Sequence, residues 1–215
     1  MKIRGAIVVL GVVLLFAVGA FAQDYAKVEI PIGYSYMRFN PENSNVVPGF
    51  SLNGGGGGAA LYFNHIIGIQ MDLKGYASTV QHYTFPVGTP ACPQGCNITA
   101  DANLFTYNFG PIIKPYRTTH FEPFIEGMFG GAHSNTYGNI IKACQAACTT
   151  SAAPNNNAWD FAIGGGLDIP LSKSIAFRPA EFNFVLTRFN NILVSNHMNQ
   201  SNFRFGAGLV FMFGR

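Results

Sequence analysis

From Phe203 to Phe213 the chain alternates without interruption. Phe203, Phe205, Ala207, Leu209, Phe211 and Phe213 share one parity, and Arg204, Gly206, Gly208, Val210 and Met212 share the other. A period of two sends successive side chains to opposite faces of a strand, so this segment has one greasy aromatic face and one mostly small face with a single cation. The same design recurs upstream. Val28, Ile30, Ile32, Tyr34 and Tyr36 alternate with Glu29, Pro31, Gly33, Ser35 and Met37, and Ile67, Ile69, Met71 and Leu73 with Gly68, Gln70, Asp72 and Lys74. Phe105, Tyr107 and Phe109 oppose Thr106, Asn108 and Gly110, and Trp159, Phe161, Ile163, Leu167 and Ile169 oppose Asp160, Ala162, Gly164, Gly166 and Asp168. The segment Phe121–Ala132 carries Glu122 and Glu126 on its polar side. Between Ile175 and Phe189 the apolar parity switches, which predicts a β-bulge near Pro179, because one extra residue flips the alternation and proline is tolerated there.

Strands with two such faces need an apolar surround and a polar interior. Charged residues make up 11% of the 215, where soluble domains carry about 25%, too few to cover a water-facing exterior. With 25 glycines and 14% aromatics, that balance excludes disorder, a coiled coil and a nucleic-acid binder. A mean hydropathy of only +0.20 also excludes a bundle of membrane helices, which need repeated apolar runs of about 20 residues. The eighth strand, about Phe50–Phe63, contains the run Gly54 to Gly58, which reads either as strand or as flexible loop. Short connections at Asn64–His65, Lys114–Thr119 and Leu171–Ser174 alternate with long ones at Asn40–Gly49, Ser78–Ala100, Ser134–Asn157 and Asn190–Asn199. Eight strands with short turns at one rim and long loops at the other predict an all-β, eight-stranded antiparallel up-and-down transmembrane β-barrel, closed so that no edge meets hydrocarbon.

Residues 1–22 read as a cleavable signal peptide: Lys2 and Arg4, an apolar stretch from Ile7 to Val18, and Ala20-Phe21-Ala22 before Gln23. The alternative is a single spanning helix, disfavoured by the short run and by Asp24 immediately after it. Residues 23–215 are then the barrel, and losing Lys2 and Arg4 lowers the net charge from +3 to +1. The four cysteines fall as Cys92-x3-Cys96 and Cys144-x3-Cys148. In an oxidising compartment such pairs form disulfides, two local ones or a cross-link between loops. A four-thiolate zinc site is the sharper but less favoured reading.

An eight-stranded barrel has an interior just wide enough for its side chains, so a plugged lumen is expected. Its polar network is Glu29, Asp72, Lys74, Glu126, Asp160, Arg178, Glu181, Asn183 and Arg204. Uncompensated ions there are costly, and Arg178 and Arg204 are expected to pair with some of Glu29, Glu126, Asp160 and Glu181. A fixed polar core is the first reading, and a gate that exchanges pairs to pass ions the second. His133 and Ser201 at the outer rim are the one arrangement that could hint at nucleophilic chemistry, with ordinary rim residues as the bland account. No cofactor or metal is expected.

Gly33-Tyr34-Ser35-Tyr36-Met37-Arg38-Phe39, Tyr62-Phe63-Asn64, Phe109-Gly110-Pro111, Phe129-Gly130-Gly131-Ala132-His133, Leu186-Thr187-Arg188-Phe189 and Gly206-Ala207-Gly208-Leu209-Val210-Phe211-Met212-Phe213-Gly214 resemble the OmpA-like family of eight-stranded outer-membrane barrels. The resemblance spans the barrel only and lacks a periplasmic peptidoglycan-binding domain. It implies a cell outer membrane of Gram-negative type, outer-membrane lipid as surround, and a closing-strand signal at Gly208, Phe211 and Phe213 for the β-barrel assembly machinery. Family members commonly stop at the last aromatic, whereas this chain continues through Gly214 and Arg215. The function expected is structural and surface-interactive rather than enzymatic, with an extracellular ligand met through the loops. A narrow porin-like channel is the first alternative. A lipid-modifying barrel enzyme and a soluble lipocalin-like binder follow.

Overall fold

The structure, a computed structural model, describes residues 25–40, 49–85, 87–88, 93–135, 157–189 and 199–214. Eight strands follow in chain order: β1 (Val28–Phe39), β2 (Phe50–Tyr62), β3 (Ile67–Phe85), β4 (Cys96–Ile113), β5 (Glu122–His133), β6 (Asn157–Pro170), β7 (Ile175–Thr187) and β8 (Gln200–Phe213). Each pairs antiparallel with the next, and β8 returns to β1 from Val28↔Phe213 to Arg38↔Phe203, closing the barrel. The strands carry the parity read from the sequence. Phe203, Leu209 and Phe213 are exposed on the outer wall, while Arg204 is completely buried inside. Residues 1–22, read above as a signal peptide, lie outside the described residues.

The glycine run of β2 is strand. An added Cβ at Gly54 or Gly56 would lie 2.0 Å from the backbone oxygen of Gly75 or Leu73 on β3, so absence of a side chain is what lets these two strands approach. Pairing there is unbroken, from Asn53↔Ala77 to Tyr62↔Gly68.

The bulge falls where the parity switches. On β7 the register passes from Arg178↔Gly208 to Glu181↔Gly206, three residues against two on β8. The extra residue turns both Arg178 and Glu181 into the lumen, where a regular strand would put residues three apart on opposite faces.

The connection expected over Ser78–Ala100 is mostly not loop. β3 and β4 pair as far as Phe85↔Cys96, whereas β2 reaches only Ala77 on β3 and β5 only Phe105 on β4. A two-stranded ribbon therefore stands beyond the closed wall. Its sequence lacks alternation because above the membrane neither face has to meet lipid, and a register shift between Ser78 and Gln81 breaks the phase as well. Cys96 is the first residue of β4, and Cys92, Cys144 and Cys148 lie outside the described residues.

Candidate functional site

The lumen contains three layers, stacked from the end bearing the short turns to the end bearing the long connections. At the turn end Ala60, Tyr62, Ile112 and Phe124 form one apolar cluster, and Ala26, Ala176, Val210 and Met212 form another. At the loop end Phe39 stacks on Phe50 with ring centroids 5.1 Å apart and meets Phe189 at 6.5 Å, all three buried. The charge network lies between these clusters and continues past the turn-end one to Lys114 and Arg117. All nine residues expected there are buried.

Both arginines pair with Glu181, one of the four acids expected, and each adds a partner outside that set, Asp168 for Arg178 and Asp72 for Arg204. Arg178 holds Asp168 through two donors, Nε to Oδ1 at 2.7 Å and Nη2 to Oδ2 at 3.1 Å, and reaches Glu181 through Nη1 at 3.0 Å. Its guanidinium lies 4.1 Å from the centre of the Phe124 ring. Arg204 donates to Asp72 at 3.0 Å and to Glu181 at 3.4 Å. Lys74 donates to Glu181 and lies 3.5 Å from Asp72, and Asn183 adds a fourth donor to Glu181 at 3.1 Å. Glu181 is thus the hub. Glu29, Glu126 and Asp160 are not hydrogen-bonded to either arginine. Glu29 joins Lys114 and Arg117, Glu126 accepts from Gln70, and Asp160 accepts from Asn108 at 2.8 Å. Arg178 selects Asp168 over Glu29 because Asp168 sits near it across the β6–β7 pair, beside the shifted register.

Sequence reasoning assigned no role to Lys114 or Arg117, the cations that gather Glu29 and its neighbours at the turn end. Lys114 follows β4, and its ammonium contacts Glu29 at 2.7 Å, Asp168 at 2.8 Å and Glu122 at 3.1 Å, one carboxylate for each of its three donors. Burial opposes its charge, but Glu29, Asp168 and Glu122 outweigh burial and hold the ammonium above its ordinary pKa. Arg117 folds back from the same turn, donating to the His65 carbonyl at 2.8 Å and to Glu29 at 3.0 Å. Its guanidinium lies 4.1 Å from the Tyr62 ring centre and 5.7 Å from that of Tyr25. A signal for Lys114 was present, since it continues the inward parity of Thr106, Asn108, Gly110 and Ile112 past the end of the strand.

Ion pairs therefore run unbroken from Arg117 through Glu29, Lys114, Asp168, Arg178 and Glu181 to Lys74, Arg204 and Asp72. A cavity of about 30 Å³ borders this chain at Asp72, Lys74, Arg178 and Glu181, room for one or two water molecules. His133 and Ser201 do not meet. The His133 ring, on β5, engages Asn157 at 2.8 Å on β6, and Ser201 stands on β8 with β6 and β7 between them, its carbonyl accepting from Asn40. On the closing strand Phe213 is exposed on the outer face and Phe211 shares its parity, while Gly208 packs its α-carbon against Gly33.

The model of the outer membrane protein beta-barrel domain matches residues 8–211. Among solved structures, Neisserial surface protein A is 7% identical with a TM-score of 0.57, the match covering 89% of this chain and 100% of that one. The outer membrane protein OprG from Pseudomonas aeruginosa is 12% identical with a TM-score of 0.53, covering 88% and 96%. At such identities the likeness is one of fold. No curated protein matches the sequence. A closed eight-stranded wall with an apolar exterior and a charged interior, matched over nearly its whole length by one family model, places this chain in the outer membrane protein beta-barrel domain family, as a protein of the Gram-negative outer membrane.

Proposed function

We propose that this barrel is a rigid, non-conducting scaffold that holds its long connections and the β3–β4 ribbon at the cell surface, where they meet an extracellular ligand. The observation that carries this reading is the filled axis: an apolar cluster near each end and a network, running between them and out to Arg117 at the turn end, in which every cation is held by at least one carboxylate. Opening a path for ions would require separating buried pairs, each several kcal/mol to break. Surface loops on a stiff frame are where binding specificity is ordinarily built. Insertion through the assembly machinery would use the outward ring of Phe213 with Phe211 and Gly208 on the closing strand. Catalysis has no support in the placement of His133 and Ser201.

Planar-bilayer recording on the purified, folded protein tests the reading. Silence at voltages where porins conduct is expected. Discrete conductance steps that shift in size on Glu181→Gln would overturn it in favour of a narrow channel.

A further inference from the structure

We propose that the outer wall at the loop end of β1, β2 and β8 is a binding site for a phosphorylated glycolipid of the outer leaflet, with Arg38 taking the phosphate. In this family the short turns are periplasmic, so the loop end of β1 stands at the level of the outer-leaflet headgroups. Arg38 is exposed there, and among the described residues no carboxylate pairs with it. One of its donors is fixed, Nη1 to Ser51 Oγ at 3.2 Å, and Ser51 Oγ is in turn 2.9 Å from the Tyr36 hydroxyl. Below them Tyr34 donates to Asn53 at 2.6 Å. Both tyrosine rings lean diagonally toward the headgroup level, since Tyr36 is in register with Asn53 and Tyr34 with Gly55. This ladder ties the guanidinium to β2 through Nη1, and Nη2, beside Gly49, is left without a hydrogen-bond partner among the described residues on an exposed side chain, an arrangement that suits recognition of a phosphate.

The wall beneath suits acyl chains. On β8 Phe203 packs against Phe182 of β7 at 5.9 Å, and Phe205 against the same ring at 5.2 Å. A second exposed arginine, Arg188, follows the loop end of β7, so both strands flanking β8 end in a cation. On the far side of the barrel the corresponding rim residue of β4 is an exposed acid, Asp101. Among the described residues the charge on this face therefore complements an anionic headgroup, whereas Asp101 on the opposite face does not.

The test titrates the folded barrel in neutral detergent with lipid A and with dephosphorylated lipid A, and reads retained lipid by native mass spectrometry. The native chain is expected to prefer the phosphorylated form by about tenfold or more. Arg38→Gln should abolish most of that preference, Arg38→Lys should recover only part of it, and Asp101→Asn should leave it unchanged. The double variant Tyr36→Phe/Ser51→Ala keeps the charge but frees it, and should weaken the preference several-fold. Equal preference in the native chain and Arg38→Gln would overturn the proposal. So would competition by phosphatidylglycerol as effective as that by lipid A, which would reduce the face to a generally basic surface. Heat-modifiable migration in unboiled gels confirms that each variant is folded before titration.

Discussion

Two sets of buried carboxylates share one lumen and are held differently. Asp72 on β3, Asp168 on β6 and Glu181 on β7 each contact two or more cations, and Glu29 on β1 and Glu122 on β5 share Lys114 and Arg117. Glu126, also on β5, and Asp160, also on β6, are held instead by the amides of Gln70 and Asn108, each with its second oxygen unpartnered. Burial is the same, but the partners are not. Where a cation reaches a carboxylate, the pair is a structural member, and removing one partner strands the other. Where only a neutral amide reaches it, the negative charge adds little that a second amide could not supply.

The sharpest way to break this contrast is at the hub. Glu181→Gln leaves Lys74, Arg178 and Arg204 without their shared anion and is expected to cost about 3–5 kcal/mol, seen as a lower urea midpoint for the fast-migrating folded band. Lys114→Met strands three carboxylates whose remaining cations are Arg117 and Arg178. A loss of about 3 kcal/mol is expected in the same assay. Arg117→Ala removes one of two cations at Glu29 together with its contacts to Tyr62 and Tyr25, and about 1–2 kcal/mol should be lost. Arg117 caps the turn end, so that variant should also speed amide exchange in residues 114–121. Smallest of all, Glu126→Gln is expected to lie within about 1 kcal/mol of the native chain, on the stabilising side, because it removes an unpaired charge and keeps the acceptor for Gln70. A loss at Glu126→Gln as large as that at Glu181→Gln would erase the distinction between the two sets.

How far the lumen was legible depends on distance along the chain. Orientation was readable residue by residue, and even the Arg178–Glu181 pair was implicit in the parity switch near Pro179. The β3–β4 ribbon was not readable, because a strand outside the membrane has no lipid-facing side to impose alternation. Lys114 and Arg117 were assigned to a short turn. That they bend inward is decided by an apolar cluster open at that end and by carboxylates from β1, β5 and β6 converging on it.

The bare sequence determined which way each side chain points, because alternation is a local property of an extended backbone placed between two unlike environments. Which ion meets which was decided only in the closed barrel. Closure and register bring Glu29 to Lys114 and Asp72 to Arg204 from 85 and 132 residues away, and in a low-dielectric interior each charge takes the counter-charge that geometry delivers to it.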